Sequence, residues 1–286
     1  MAGLEIPERY NASTTFIDDN LKAGRGNNPA ILYGNQILTY NDVAALVNRT
    51  GNALIRTGVQ MEQRVMLLLL DSPEFAAGFF GAIRIGAVPV PTNTMLRPAD
   101  YEYLLNDSRA VALMVHESLW ANIEPVRKNL KWLKHIIIVG SSDASPLSLP
   151  QTLNFTEWIK EESDQLEPAD TSCDDVCFWL YSSGTTGFPK AAVHLQHDMA
   201  YCAENYARGV LNISEKDRTY SVARLFFAYG LGNGLYFPFY VGGTTILSSA
   251  RPEPKLIYED LTRYRPSLFF CVPTAYAALL DCKDTS

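Results

Sequence analysis

The residues best suited to chemistry lie in one segment, YSSGTTGFPK, which runs from residue 181 to residue 190. Its serines, threonines and glycines are Ser182, Ser183, Thr185, Thr186, Gly184 and Gly187. Glycine reaches backbone conformations that let successive N–H groups converge on an anion. The hydroxyls add donors, and Lys190 adds a mobile positive charge. The segment therefore predicts an anion-binding loop suited to phosphate, although a flexible Ser/Thr/Gly surface turn would have the same composition.

The spacing of this loop separates it from the commonest nucleotide-binding loop. A Walker loop requires G-x-x-x-x-G-K-[ST], whereas the order here is G-x-x-G-x-x-K. The sequence has no G-x-S-x-G elbow, and its four histidines suggest no Ser-His-Asp triad. A plain NTPase and a serine hydrolase are therefore both disfavoured.

Two residue pairs consist of residue types that commonly bind metal ions, but neither pair has further candidate ligands nearby in the sequence. Cys173 and Cys177 flank two aspartates, and His194 and His197 stand three residues apart. A structural zinc site needs four ligands, and neither pair has visible further ligands nearby. We therefore expect no metal-ligating residues. The five cysteines are odd in number and form no C-x-x-C pair, which is typical of reduced thiols in a cytoplasmic protein.

The elements that must position the loop follow from hydrophobic patterning. An apolar, β-branched and aromatic run at 176–181 predicts a buried strand that leads directly into the loop. A hairpin is predicted at 30–39, a surface excursion at 141–172, and a glycine-broken segment at 226–234. Further strands are predicted at 65–70, 87–90, 111–115, 136–139, 191–194, 219–223, 244–247 and 268–272. Helices are predicted at about 40–58 and at 73–86, 99–106, 118–133, 155–159, 199–210, 255–264 and 274–280.

This alternation of strands and helices predicts an α/β fold with layered, mostly parallel sheets covered by helices. The uninterrupted apolar run at 65–70 predicts a strand that is buried on both faces. At 286 residues the chain has room for one large domain or two ordinary ones.

Composition excludes several classes of partner. Hydrophobic residues make up 47% and charged residues 19%, with a net charge of −7 and no basic run. Nucleic acid is an unsuitable partner because phosphate-backbone binding needs a clustered basic face. No apolar stretch approaches the roughly 18 residues of a membrane span, and the amino terminus does not resemble a secretion signal.

The ten residues 181–190 closely resemble the signature loop of the adenylate-forming superfamily, which includes acyl-CoA synthetases, luciferases and peptide-synthetase adenylation domains. Three further segments, LTYNDV at 38–43, GAIRIGAVPVP at 81–91 and CVPT at 271–274, stand at similar distances, so the resemblance covers essentially the whole chain. It implies the fold of the N-terminal AMP-binding domain of these enzymes. It also implies that ATP phosphates are held by Ser182, Ser183, Gly184, Thr185, Thr186, Gly187 and Lys190. Lys190 and Thr186 would be the catalytic residues.

A second segment, LFFAYGLGN at 225–233, resembles the acyl-pocket segment of benzoate-CoA ligases and their hydroxybenzoate relatives. The resemblance implies that Phe227, Ala228, Tyr229 and Gly230 bind the substrate, with Tyr229 beside its aromatic ring. Glycines let backbone approach a flat ring, and an aromatic side chain can stack on it. The alternative is that these aromatic side chains belong only to the core.

The reaction implied by the resemblance has two steps and uses ATP, Mg²⁺ and coenzyme A. A carboxylate attacks the α-phosphate of ATP to give an acyl-adenylate and pyrophosphate, and the thiol of coenzyme A then displaces AMP. Benzoate is the expected acid, with 4-hydroxybenzoate, 2-aminobenzoate or a cinnamate-like acid as alternatives. A non-catalytic module that binds nucleotide or aromatic acid is a further alternative, and a homodimer stays open.

Several family residues cannot be mapped onto the chain. They are a glutamate for Mg²⁺, an aspartate for the ribose, a hinge, and a small C-terminal domain with an adenylation lysine. We therefore expect residues 1–286 to be a truncated N-terminal AMP-binding domain, inactive alone.

Overall fold

A computed structural model describes residues 4–140, 152–182 and 187–282. The strands are β1 (Pro29–Tyr33), β2 (Gln36–Thr39), β3 (Arg64–Leu68), β4 (Val88–Pro91), β5 (Ala112–His116), β6 (His135–Val139), β7 (Thr152–Asn154), β8 (Val176–Ser182), β9 (Lys190–Leu195), β10 (Arg218–Ser221), β11 (Thr244–Leu247) and β12 (Leu268–Phe270). The α-helices are α1 (Asp19–Lys22), α2 (Tyr40–Arg56), α3 (Pro73–Arg84), α4 (Pro98–Asp107), α5 (Trp120–Ile123), α6 (Phe155–Ile159), α7 (Asp198–Cys202), α8 (Ala228–Leu231), α9 (Phe237–Val241), α10 (Pro254–Tyr264) and α11 (Pro273–Asp281).

The strands form two five-stranded sheets and one ribbon. The first sheet has the order β12-β10-β11-β1-β2 and is parallel except for β2, which pairs with β1 as a hairpin. The second sheet has the order β4-β3-β5-β6-β7 and is parallel throughout. The ribbon consists of β8 and β9, which are antiparallel. The α/β fold with mostly parallel sheets is confirmed.

Side-chain alternation along the strands sorts the molecule into layers. In β3, Val65 and Leu67 pack into the central core with α2 and α3, whereas Met66 and Leu68 pack on the opposite face with α4 and α5. The first sheet divides similarly, since Ile31 faces the central core while the other face is covered by α10 and α11. The central helices therefore lie between the two sheets, and β3 is buried on both faces as its apolar run predicts.

Local sequence signals explain where the central helices begin. Thr39 and Asp42 form a capping box at the start of α2, in which the Asp42 N–H donates to Thr39 Oγ1 and the Thr39 N–H donates to Asp42 Oδ2. Pro73 stands in the first turn of α3, where its missing N–H costs nothing. Every residue of α3 except Glu74 is buried, which places this helix at the centre of the fold.

Two segment predictions need correction. The predicted continuous helix at 118–133 is instead a 3-10 turn, the short α5 and a second 3-10 helix, Glu124–Asn129. Pro125 stands at this last junction and cannot donate the hydrogen bond that would continue an α-helix. The glycine-broken segment at 226–234 is mainly helical, because α8, a π-helical turn Gly232–Tyr236 and α9 follow without a gap.

Besides α9, three further elements were not predicted from the sequence. A π-helical turn, Thr14–Asp18, continues into α1 near the amino terminus, and β7 extends the second sheet. Within the described ranges, no helix combines the length and apolar character that crossing a membrane requires.

Candidate active site

The predicted phosphate loop joins the two strands of the ribbon. β8 ends at Ser182 and β9 begins at Lys190, and these two residues are opposite each other in the ladder. Both are exposed. Ser183, Gly184, Thr185 and Thr186 lie outside the described residues. The loop therefore leads from one antiparallel strand into the next, and not from a strand into a helix as in a Walker loop.

Side chains of α4 hold the end of the ribbon that carries the loop. The Phe188 ring stacks on Tyr103 at a centroid distance of 4.7 Å, and the Tyr103 hydroxyl donates to the Pro189 carbonyl at 3.1 Å. The Tyr181 hydroxyl donates to Asp107 Oδ2 at 2.5 Å. Burial, followed by this hydrogen bond, raises the pKa of Tyr181. Both stems of the loop are thus fixed against one helix.

Gly187 is the described glycine of the loop, and its backbone needs the absence of a side chain. Its φ is +132°, a region that L-residues rarely adopt. A Cβ placed there would meet no atom within 4 Å. The requirement for glycine is therefore conformational, and no described atom would block a side chain there.

The predicted acyl-pocket residues lie at the start of α8. Phe227 precedes the helix and Tyr229 lies in its first turn, with exposed fractions of 45% and 44% respectively. Phe226 is buried. The Tyr229 ring meets Phe270 edge-on at 6.5 Å. Core packing therefore accounts for Phe226, whereas Phe227 and Tyr229 offer accessible aromatic surface.

Gly230 is enforced by a close approach of two backbone segments. A Cβ at this position would lie 2.0 Å from the Arg224 carbonyl oxygen and 2.4 Å from that of Ala223. Such distances are far shorter than the van der Waals contact of a carbon and an oxygen atom, so no side chain fits here. The residue therefore lets α8 begin directly against the chain that leaves β10.

A buried carboxylate ties this segment to the second sheet. Asp71, which follows β3, accepts a hydrogen bond from the Leu225 N–H at 3.1 Å and lies 3.4 Å from Arg224 Nη1. The Arg224 guanidinium also donates to the carbonyls of Ser248 and Ala250. Burial raises the pKa of Asp71 to about 6, against the lowering effect of Arg224 and the Leu225 N–H. Asp71 thus holds the start of the predicted acyl-pocket segment across the gap between the sheets.

A cavity of about 340 Å³ lies between the ribbon and α8. Its lining residues are Phe178, Leu180, His194, His197, Asp198, Met199, Tyr201, Cys202, Ala228, Leu231 and Tyr236. The volume falls in the range of small-molecule sites, and the lining is largely apolar and aromatic. Of the predicted acyl-pocket residues, Ala228 lines this cavity, whereas Phe227, Tyr229 and Gly230 do not. The strands that carry the predicted phosphate loop and the helix that carries the predicted acyl-pocket residues thus share one cavity.

Polar residues on the cavity wall were not predicted as site residues. The His194 ring stacks on Phe178 at 4.4 Å, and its Nδ1 lies 3.2 Å from Asp198 Oδ2. The other oxygen of Asp198 lies 3.1 Å from His197 Nε2. Asp198 Oδ2 also accepts a hydrogen bond from the Leu195 N–H. The spacing of Asp198 relative to the two histidines was a usable signal, since it places all three at the turn between β9 and α7.

Another cavity, of about 780 Å³, lies beside the amino-terminal segment and contains none of the predicted site residues. The 340 Å³ cavity therefore remains the candidate acid site.

Comparisons with known proteins identify relatives of this chain. The family model described as AMP-binding enzyme matches residues 19–286. The chain is 43% identical to a benzoate--CoA ligase of Thauera aromatica over 98% of its length and 52% of that protein. It is 40% identical to a 4-hydroxybenzoate--CoA/benzoate--CoA ligase of Rhodopseudomonas palustris over 95% of its length and 49% of that protein. The chain spans about half the length of the curated relatives it matches.

A solved structure gives the same picture of the fold. The crystal structure of the anthranilate CoA ligase AuaEII in complex with anthranoyl-AMP superposes with a TM-score of 0.93 at 37% identity. The match covers 98% of this chain and 53% of that chain.

Proposed function

The chain belongs to the AMP-binding enzyme family, and from this premise we propose that it takes part in ATP-dependent ligation of benzoate, or a closely related aromatic carboxylic acid, to coenzyme A. The reaction would pass through an acyl-adenylate and release AMP. The observation that carries the proposal is the shared cavity between the phosphate-loop ribbon and α8. The 43% identity to a benzoate--CoA ligase supports the same acid class.

The loop residues have a defined task in this reaction. When the carboxylate of the acid attacks the α-phosphate, pyrophosphate leaves and its negative charge must be held. The exposed Lys190 ammonium and the Ser182 hydroxyl stand opposite each other at the base of the loop and suit this task, together with Gly187, Ser183, Gly184, Thr185 and Thr186. An oriented donor of this kind contributes roughly 3 kcal/mol to the transition state.

The aromatic acid would occupy the apolar cavity. Ala228 contributes a small side chain to the cavity wall. Phe178 also lines the cavity, and one face of its ring is stacked on His194. Phe227 and Tyr229 flank Ala228 in the sequence and present exposed rings, and aromatic side chains of this kind favour a planar acid.

Mg²⁺ would neutralise phosphate charge during this reaction. Hard oxygen ligands suit Mg²⁺, but the cavity carboxylate of Asp198 is already held by His194, His197 and the Leu195 N–H. We therefore propose that Mg²⁺ enters with ATP, near the loop hydroxyls and not at Asp198.

The test is AMP release by the protein encoded by the complete reading frame that contains residues 1–286, supplied with benzoate, ATP and coenzyme A. We expect benzoate-dependent AMP, and a loss of roughly 100-fold or more in kcat for Lys190→Ala. Lys216→Ala, which removes another exposed lysine, is the matched control and should retain activity. The absence of benzoate-dependent AMP in the unsubstituted protein would overturn the substrate assignment.

The identity of the acid has a competing candidate. The superposition with an anthranilate CoA ligase favours 2-aminobenzoate as the alternative to benzoate. Competition among benzoate, 4-hydroxybenzoate and 2-aminobenzoate would rank them by kcat/KM. A non-catalytic binding module would bind ATP in calorimetry and release no AMP in the AMP-release assay, whereas a ligase would do both.

The domain assignment, a homodimer and a cytoplasmic location all stay predictions. Sequencing the reading frame on both sides of residues 1–286 tests the first, and light scattering tests the second.

A further inference from the structure

Cys173 and His197 each belong to a residue pair that has no further metal ligands nearby in the sequence, but the fold brings these two residues close together. Cys173 precedes β8, and His197 precedes α7, yet Cys173 Sγ, an Asp174 carboxylate oxygen and a His197 ring nitrogen lie within 4.8 Å of one another. Thiolate, imidazole and carboxylate are the ligands that Zn²⁺ takes in proteins. Tetrahedral coordination needs these atoms to approach by only about 1 Å, given metal–ligand distances of roughly 2.0–2.3 Å.

The backbone holds this cluster in place before any ion binds. The His197 N–H donates to the Cys173 carbonyl at 3.2 Å, and the Cys173 N–H donates to the Glu8 carbonyl at 2.9 Å. The turn that contains Asp174 is closed by the Asp175 N–H, which donates to the Ser172 carbonyl. Folding therefore already orders these residues, so cation binding would cost little additional conformational entropy.

The Asp198 carboxylate contacts the ring nitrogen of His197 that lies away from the cluster. His197 Nδ1 lies 3.3 Å from Asp174 Oδ1, on the side of the cluster, whereas Nε2 lies 3.1 Å from Asp198 Oδ1. Metal-binding histidines commonly donate their second N–H to such a carboxylate, which fixes the tautomer and raises the basicity of the ligating nitrogen. Asp198 lies outside the three-residue cluster, and its contact with Nε2 leaves Nδ1 as the ring nitrogen that faces the cluster.

We propose that Cys173, Asp174 and His197 form a binding site for a divalent cation of the Zn²⁺ type, with water in the fourth position. On binding, the Cys173 thiol releases its proton to solvent and coordinates as a thiolate. His197 coordinates through the Nδ1 lone pair of its neutral Nε2–H form, so a proton on Nδ1 that bonds the Cys173 carbonyl, 2.9 Å away, is also released to solvent, and Nε2–H donates to Asp198. The thiolate selects Zn²⁺ over Mg²⁺ and Ca²⁺, which prefer oxygen.

The site adjoins the candidate acid cavity through one residue. His197 and Asp198 both line that cavity, so an ion bound to Nδ1 fixes the orientation of a wall residue. The proposal concerns cation binding itself and does not rest on the proposed ligase activity.

The experiment is titration of the chelator-treated full chain with Zn²⁺ by calorimetry, and with Cd²⁺ while thiolate–metal absorption is followed in the ultraviolet. We expect one equivalent to bind and the thiolate band to appear with it. Cys173→Ser and His197→Gln should each weaken Zn²⁺ binding by more than ten-fold, and Cys173→Ser should abolish the band. Asp198→Asn should weaken binding by about 10- to 100-fold.

Matched controls use the same residue types outside the cluster. Cys282→Ser and His135→Gln should leave the Zn²⁺ affinity unchanged. Asp174 is exposed, so Asp174→Asn keeps the test open if Cys173→Ser fails to fold, and it should also weaken binding. Equal Zn²⁺ affinity in the unsubstituted protein, Asp174→Asn and His197→Gln would overturn the proposal, as would Cd²⁺ binding without a thiolate band.

Discussion

At the scale of single residues, the candidate active site depends on a few positions whose contacts restrict which side chain can be present. Gly230 sits where any Cβ would collide with two carbonyl oxygens, and Asp71 is the buried acceptor for the backbone that leads to it. Both act on the position of α8 and not on the substrate directly. The exposed rings of Phe227 and Tyr229 are thereby presented at a fixed place.

Asp71 gives the protein a specific pH dependence. Burial raises its pKa from 3.8 to about 6, so the folded carboxyl holds its proton more tightly than the unfolded one. Its contribution to stability is fully present below about pH 4 and declines as the pH rises to about 6, by roughly 3 kcal/mol at 1.36 kcal/mol per pKa unit. Asp71→Asn removes this dependence.

Urea unfolding of both proteins between about pH 4 and pH 7 measures the effect. We expect the free energy of unfolding of the Asn variant to gain on that of the unsubstituted protein as the pH rises. A difference that is constant over this range would mean that Asp71 titrates with an ordinary pKa.

At the scale of elements, α2 illustrates how a local signal supports the central layer. Thr39→Ala removes the side-chain acceptor for the Asp42 N–H, and we expect it to lower the free energy of unfolding by about 1 kcal/mol. Thr39→Ser keeps an acceptor and should recover most of the loss. Thermal or urea unfolding checks both variants, and an Ala variant as stable as the Ser variant would assign the helix start to packing alone.

The position of the ribbon, in contrast, depends on contacts with residues that are distant in the sequence. Its two strands pair only with each other among the described strands, so contacts from α4 to Tyr181, Phe188 and Pro189 fix where the predicted phosphate loop lies. The loop motif is local, but its orientation is set by a helix about 80 residues earlier in the chain.

At the scale of the whole molecule, the amino-terminal segment links the layers. Arg84 of α3 is 6% exposed and contacts both carboxylate oxygens of Asp18 at 3.0 Å, while its Nε donates to the Leu166 carbonyl. Nearby, Phe16 packs against Phe80 and Tyr236. The segment before β1 is therefore part of the core.

Arg84→Met should lower the free energy of unfolding by about 3–5 kcal/mol, because it leaves a partly buried carboxylate unpaired. Adding Asp18→Asn to that variant should restore part of the loss, which a double-mutant cycle in urea measures. Strictly additive losses would show that the two side chains are not coupled.

The sequence by itself determined the features that depend on neighbouring residues. Strand β3, the hairpin of β1 and β2, the start of α2 and the phosphate-loop motif all follow from periodicity, turns and caps within a few positions. The break in the predicted helix at 118–133 was also readable, because Pro125 cannot continue an α-helix. The helix at 228–241 was missed because its glycines weaken helix propensity locally, whereas burial between the sheets stabilises it.

Only the tertiary structure decided which distant residues meet. Asp71 reaches Leu225 across 154 positions, Cys173 joins His197 beside Asp198, and the ribbon shares a cavity with α8. No periodicity encodes such meetings, since they depend on the order of strands in the sheets and on the packing of the layers. Residue types and local spacing thus indicated the chemistry, and the fold decided its geometry.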